Sequence, residues 1–98
     1  MYLFDDRVQI EPEPIHAGEK ARIYYNGILA KSGADKVYLH YGIDGWKKPN
    51  TISMDKISDR FETEIKTTAG IREIDFCFKD SADHWDNNNG FNWKVSVE

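Results

Sequence analysis

Apolar and polar residues alternate with a period of two along most of this chain. The alternation marks five segments, which are Lys20–Tyr25, Lys36–Tyr41, Arg60–Lys66, Arg72–Phe78 and Asn92–Val97. Because successive side chains of a β-strand point to opposite faces, each segment predicts a strand with one apolar face. No window of eleven or more residues has the three-and-four spacing of apolar positions that an amphipathic helix shows. The pattern predicts an all-β protein.

Two shorter apolar segments, Val8–Ile10 and Ile52–Met54, are further strand candidates. Pairs of turn-forming residues separate the candidates; they are Ala17-Gly18, Asn26-Gly27, Ser32-Gly33, Asp44-Gly45, Pro49-Asn50, Ala69-Gly70 and Asn89-Gly90. About seven to eight short strands in 98 residues are typical of an immunoglobulin-like β-sandwich of two antiparallel sheets. The length leaves room for one domain, which is expected to span residues 1–98.

Charge and cysteine content narrow the function classes. The chain has 13 Lys and Arg against 17 Asp and Glu, a net charge of −4, and its longest basic cluster is Lys47-Lys48. Nucleic acids require concentrated positive charge, so they are not expected as ligands. The apolar runs are far shorter than the ~18 residues of a membrane span. The single cysteine, Cys77, allows neither an intramolecular disulfide nor a cysteine zinc site, so stability must come from the core.

The first residues of the chain, 1–6, contain neither a basic region nor an apolar region, so no signal peptide is predicted. The expected location is therefore cytoplasmic for a stand-alone protein, and extracellular for a module excised from a secreted enzyme.

Strand parity separates the aromatic residues of the core from the others. Five of them lie on the apolar faces of predicted strands and are expected to be buried: Tyr25, Phe61, Phe76, Phe78 and Trp93. His40 has the opposite parity to Val37 and Leu39, so its side chain is expected to face solvent or a groove.

Two tryptophans fall in polar loops instead. Trp46 follows Asp44-Gly45, and Trp85 lies between His84 and Asp86. Either indole could fold back over the core. Aromatic side chains on loops carried by a rigid β scaffold also commonly form a ligand platform. Together with an outward His40, the two tryptophans favour a binding surface.

The loop at Asp80–Gly90 is rich in Asp and Asn. Its side chains could cap their own backbone, donate and accept hydrogen bonds with a ligand, or hold calcium through Asp80, Asp83 and Asp86. The spacing does not fit an EF-hand. No catalytic residues are predicted, because a small sandwich uses its interior for its own core and lacks a deep cleft.

Sugars suit this combination of side chains. Pyranose rings present C–H faces that stack on indoles, and their hydroxyls pair with Asn, Asp, His and Lys. Stacking that removes 50–100 Å² per indole contributes roughly 1–3 kcal/mol per ring. Two rings and a few hydrogen bonds imply dissociation constants on the order of 10⁻³ to 10⁻⁶ M.

Three blocks of the chain, Lys36–Trp46, Met54 and Ile74–Trp93, resemble the starch-binding carbohydrate-binding modules of family 25 and the related plant-type family 53. In that pattern a strand ending in His-Tyr-Gly precedes a loop tryptophan and a methionine. A Phe-x-Phe-x-Asp strand then leads to Trp-Asp-Asn-Asn-x-Gly-x-Asn-Tyr. Ala21–Gly27 is similar to the early strand of the family. The chain departs from the pattern at Trp93, where Tyr is usual, and near Phe61, where Trp is frequent.

The resemblance implies a β-sandwich that binds α-1,4-linked glucans, such as starch, glycogen or maltooligosaccharides, without cleaving them. It places His40, Trp46 and Trp85 on the binding positions, with the indoles as stacking platforms and His40 as a polar contact. Asn88 and Asn92 match amides of the motif, which either touch the sugar or hold the loop. No metal or cofactor is implied. An amylolytic or glycogen-metabolising enzyme, tethered or separate, is the implied partner.

Two alternatives remain from the residues themselves. The exposed aromatic residues could form a hot spot for another protein, because such patches often mark interaction sites. The Asp-rich loop could make the domain a calcium-dependent binding module.

Overall fold

The computed structural model describes residues 2–3 and 7–98. Within these residues the chain forms ten strands and one short helix. In chain order they are β1 (Tyr2–Leu3), β2 (Val8–Glu11), β3 (Lys20–Tyr25), α1 (Ile28–Lys31), β4 (Val37–Ile43), β5 (Lys47–Ser53), β6 (Asp55–Ile57), β7 (Arg60–Lys66), β8 (Glu73–Asp80), β9 (Trp85–Asp86) and β10 (Trp93–Ser96).

The strands form two antiparallel sheets. The first has the order β1-β2-β3-β7-β6, and the second has the order β10-β8-β4-β5 with β9 paired to β8. The predicted β-sandwich is confirmed. β3 and β7 have the bounds that the alternation predicts, and they pair along their whole length from Lys20 opposite Lys66 to Tyr25 opposite Phe61.

The core between the sheets contains the five aromatic residues expected there, each at most 3% exposed: Tyr25, Phe61, Phe76, Phe78 and Trp93. The rings of Tyr25 and Phe78 stack with centroids 4.1 Å apart. Trp93 packs against Phe76 and Phe78. The outward face of the second sheet is therefore left to the alternate residues of β4, β5 and β8.

One predicted turn is wrong. Pro49-Asn50 lies inside β5, which runs from Lys47 to Ser53 and is the edge strand of its sheet. A proline is tolerated on an edge, because its missing N–H can face the unpaired side. Six of its seven residues are exposed and Ile52 alone is half-buried, so the strand has no alternating apolar face, and the sequence predicts only its end, at Ile52–Met54.

The helix α1 is a single turn after Asn26-Gly27. Four residues are too few for a helical periodicity to be visible in the sequence. None of the described residues forms a helix long and apolar enough to cross a membrane.

Candidate functional site

His40 lies on the outward face of β4, as its parity predicts. It is half-buried and stands opposite Cys77 of β8 and Thr51 of β5. Its Nδ1 shares a hydrogen bond of 2.7 Å with Thr51 Oγ1, which fixes the imidazole ring.

Trp46 lies in the tight loop between β4 and β5. Asp44, Gly45 and Trp46 all have left-handed backbone angles, with φ of 47°, 86° and 67°. The carboxylate of Asp75, on β8, accepts hydrogen bonds from the backbone N–H groups of Gly45 (2.9 Å) and Trp46 (3.2 Å). The loop is thereby tied to the adjacent strand.

A glycine under the loop brings Trp46 close to β4. A Cβ atom at Gly42 would lie 2.7 Å from Trp46 Cα and 3.2 Å from a ring carbon of its indole. Only glycine can occupy this position without moving the loop. The indole of Trp46 therefore lies directly on the sheet.

Trp85 lies on β9, opposite Lys79 of β8, and is 48% exposed. Lys79 Nζ is 5.4 Å from the centroid of the Trp85 ring and 5.9 Å from that of Tyr38. The same ammonium forms an ion pair of 2.6 Å with Asp83. These cation–π contacts hold Lys79 between two aromatic rings.

The three residues predicted to form the site come together, although they lie on three different segments. The centroid of the His40 ring is 5.5 Å from the ring centroid of Trp46, with an interplanar angle of 25°, and 5.5 Å from that of Trp85, with an angle of 81°. We call His40, Trp46 and Trp85 the aromatic cluster. Its two indoles are steeply inclined to one another, and the imidazole is equally distant from both.

The two predicted amides have different surroundings. Asn88 accepts a hydrogen bond of 2.9 Å from Arg7 Nη2 and donates one of 3.1 Å to the backbone oxygen of Asn92. Its amide therefore holds the loop. Asn92 is half-buried with a left-handed φ of 57°. In the described part of the chain, no hydrogen bond or ring contact joins either side chain to the aromatic cluster.

The aspartates proposed for calcium have separate partners. Asp86 is buried and accepts a hydrogen bond of 2.6 Å from Tyr25 Oη, while Asp83 pairs with Lys79. Asp80 accepts two backbone N–H bonds from its own turn, and the one from His84 does most to lower the pKa of Asp80. No three His, Cys, Asp or Glu residues in the described ranges lie close enough together to hold a metal ion.

Two further ionisable groups flank the aromatic cluster. Burial raises the pKa of the Cys77 thiol to about 11, so this thiol stays protonated at neutral pH. A hydrogen bond to Asp75 raises the pKa of Glu73, and partial burial adds to the effect.

Four neighbours of the aromatic cluster were given no functional role from the sequence: Tyr38, Thr51, Asp75 and Lys79. Alternation places Tyr38 on the outward face together with His40, and Lys79, which has the parity of Cys77, could have been placed there in the same way. Thr51 was hidden by the turn assigned at Pro49-Asn50. The role of Asp75 depends on the shape of a loop, which no sequence pattern of this chain indicates.

Comparisons with known proteins identify the family of the chain. Residues 21–76 match the family model described as "Starch/carbohydrate-binding module (family 53)". The chain is also 38% identical over 91 residues to a protein named "Alpha-amylase" from Clostridium acetobutylicum. That match covers 92% of this chain but only 12% of the relative. No solved structure matches. The matched family is one of the two that the sequence resembles, and the resemblance to family 25 stays a prediction.

Proposed function

The chain belongs to family 53 of the starch/carbohydrate-binding modules, and from this premise we propose that it binds α-1,4-linked glucans on the aromatic cluster without cleaving them. In this proposal Trp46 and Trp85 stack on glucose rings, and His40 supplies a polar contact between them. The aromatic cluster contains no carboxyl group, whereas glycoside hydrolysis canonically uses a pair of them as acid and base.

The observation that carries the proposal is the convergence of three aromatic side chains from β4, the β4–β5 loop and β9. Exposed aromatic side chains that are grouped, rather than scattered singly, often mark a binding site. The cation Lys79 and the hydroxyl of Thr51 lie at the edges of the same surface. They supply the hydrogen-bonding groups that sugar hydroxyls require.

The inclination of the two indoles favours a curved ligand. Coplanar rings would suit the flat ribbon of a β-linked polymer, whereas steeply inclined rings follow a chain that turns. An α-1,4-linked glucan is helical, so successive glucose units present their faces in different directions. We therefore expect maltoheptaose to bind and a cellooligosaccharide of equal length not to bind.

Affinity electrophoresis through gels with and without amylopectin tests the proposal. The wild-type protein should be retarded by amylopectin, and Trp85→Ala should migrate nearly as in the plain gel. Phe91→Ala is the matched control, because Phe91 is 78% exposed and lies outside the aromatic cluster. It should be retarded like the wild type. Unretarded wild-type protein, or equal retardation of wild type and Trp85→Ala, would contradict the proposal.

The same surface could instead bind another protein. The half-exposed Trp85 beside Lys79 has the composition of an interaction hot spot. Under this alternative, tryptophan fluorescence would not respond to maltoheptaose, and the Trp85→Ala exchange would abolish capture of a protein. A fluorescence change on adding maltoheptaose supports the glucan instead.

We also propose a starch- or glycogen-degrading enzyme as the functional partner, tethered to the module or separate. The support is the relative named as an alpha-amylase, of which this chain spans about 12%. Millimolar to micromolar binding retains an enzyme on a polymer only through repeated or linked sites, because linkage raises the effective concentration. Fusing the chain to an amylase should therefore lower the KM for granular starch and leave the KM for a short maltodextrin unchanged.

A further inference from the structure

Asp75 is a carboxylate buried on the side of the second sheet that carries the aromatic cluster. It is 0% exposed, and it stands opposite Gly42 in the register of β8 and β4. Burying a charged group is costly unless hydrogen bonds compensate the lost hydration. The hydrogen bonds that this carboxylate accepts therefore indicate what it does.

Two hydrogen bonds to this carboxylate come from the loop that carries Trp46. Asp75 Oδ2 accepts from the N–H groups of Gly45 and Trp46, at 2.9 and 3.2 Å. Consecutive backbone N–H groups of a tight turn can form a concave anion site, and here a side chain of the same protein fills it. The left-handed angles at Asp44 and Trp46 are unfavourable for residues with a Cβ atom. The carboxylate stabilises the conformation that requires them.

Gly42, on β4, allows the loop to approach the sheet closely. It is the register partner of Asp75, and the missing Cβ atom leaves the space that the backbone and ring of Trp46 occupy. Asp75 thus binds the loop from one side while Gly42 allows it to rest on β4. The indole is held in place before any ligand arrives.

We propose that Asp75 is a positioning residue of the glucan site, whose buried carboxylate holds the β4–β5 loop so that Trp46 is presented to sugar in its binding orientation. The inference rests on the proposed function for its ligand and on the loop geometry for its mechanism. A preorganised ring binds more tightly, because no conformational entropy is lost on association. Asp75 itself does not reach the sugar, since it lies beneath the loop.

The test compares Asp75→Ala with Asp75→Asn. Alanine removes the acceptor for both amides, whereas the asparagine Oδ1 can still accept from them. We expect Asp75→Ala to weaken maltoheptaose binding at least tenfold, measured by calorimetry well below the melting temperature, and Asp75→Asn to stay within about threefold of wild type. Amide hydrogen exchange at positions 45 and 46, without ligand, should be faster in Asp75→Ala than in the other two proteins.

The control is a buried carboxylate far from the site. Glu62 lies on β7, in the sheet that does not carry the aromatic cluster; it is 7% exposed and pairs with Arg22 of the neighbouring strand β3. Glu62→Gln should lower the melting temperature and leave the affinity unchanged, which separates loss of stability from loss of positioning. If Asp75→Ala does not fold, Asp75→Ser replaces it, because its hydroxyl is one bond too short to serve both amides.

The outcomes distinguish the two proposals. A folded Asp75→Ala or Asp75→Ser protein with wild-type affinity overturns the positioning role, as does unchanged exchange at the two amides. A wild-type protein that ignores maltoheptaose overturns the proposed function, and with it the sugar in this inference. Faster exchange would in that case still show that Asp75 holds the loop. Tenfold weaker binding with faster exchange supports both.

Discussion

The two indoles of the aromatic cluster are held in opposite ways. Trp46 lies in a loop fixed by the buried carboxylate of Asp75 and packed on the backbone of β4. Trp85 lies on a two-residue strand and is contacted by Lys79, whose partner Asp83 is 75% exposed. Exposed ion pairs contribute little to stability. Trp46 is thus fixed by a loop that is tied to the second sheet, while Trp85 is held by exposed contacts at the surface.

The two tryptophans are therefore expected to differ in how much each contributes to ligand affinity and to the stability of the fold. A change at Trp46 is expected to affect both, because the fold depends on the packing around it. A change at Trp85 is expected to affect the ligand alone. In the proposed site, Trp46 is thus the ring that the loop fixes, and Trp85 is the ring with the more exposed surroundings.

The largest effects are expected from removing the rings themselves. Trp46→Ala and Trp85→Ala should each weaken maltoheptaose binding about 10- to 100-fold, since each loses one stacking surface. Trp46→Ala should also lower the free energy of unfolding by about 1–3 kcal/mol, while Trp85→Ala should change it by less than about 0.5 kcal/mol. Calorimetry and urea unfolding measure the two quantities. Equal stability losses would remove the distinction between the platforms.

Substitutions of glycine test the same difference between Trp46 and Trp85 by disturbing the backbone near each ring. Gly42→Ala puts a methyl group 2.7 Å from Trp46 Cα, so the loop must move. We expect a loss of about 1–3 kcal/mol of stability, as for other overpacked sites, together with weaker binding.

Gly90→Ala, in the loop after Trp85, is the matched control. Its added methyl group meets nothing within 4 Å, although φ is 92°. The strain should lower stability by about 1 kcal/mol without weakening binding. A Gly42→Ala protein with wild-type affinity would show that Trp46 tolerates displacement.

Much of the fold could be predicted because the large strands alternate cleanly. β3 and β7 each present one apolar face, so their bounds follow from the sequence. β5 does not, because all of its residues except Ile52 are exposed and it contains Pro49. Only its hydrogen bonds to β4 make it a strand. Edge strands of this kind are defined by their neighbour, not by their own pattern.

The candidate site, like the fold, could be predicted from the sequence only in part. Parity placed His40 outward, and the cost of a tryptophan in a polar loop singled out Trp46 and Trp85. Their convergence depends on the pairing of β4 with β8 and of β8 with β9, which is a property of the assembled sheet. Asp75 reads as an ordinary outward carboxylate until the loop folds over it. Burial created by a loop has no periodic signal in the sequence.

The two side-chain amides of the loop after Trp85 should also differ in their effects on stability and affinity. Asn88→Ala loses its bonds to Arg7 and to the Asn92 backbone, which should lower stability by about 1–2 kcal/mol and leave the affinity within twofold. Asn92→Gly keeps the left-handed conformation and removes only the amide. We expect it to weaken binding a few-fold, with little change in stability. The reverse result would assign sugar contact to Asn88.

The smallest effects are expected from pH, with opposite signs on the two sides of the site. Hydrogen bonds from backbone N–H groups, first that of His84, lower the pKa of Asp80 near Trp85. The ionised Asp80 therefore stabilises the folded protein above the unfolded-state pKa of about 3.9, and this stabilisation is lost as pH falls through the folded-state pKa. A hydrogen bond to Asp75 raises the pKa of Glu73 near Trp46. The protonated Glu73 therefore stabilises the folded protein fully below the unfolded-state pKa of about 4.3, and this stabilisation is lost as pH rises through the folded-state pKa.

At pH 7, Asp80→Asn should therefore be less stable than wild type. Glu73→Gln, which keeps a donor toward Asp75, should be slightly more stable. Both differences should shrink between pH 7 and pH 3 in urea unfolding, and two variants that shift in the same direction at pH 7 would contradict this assignment of the carboxyl groups.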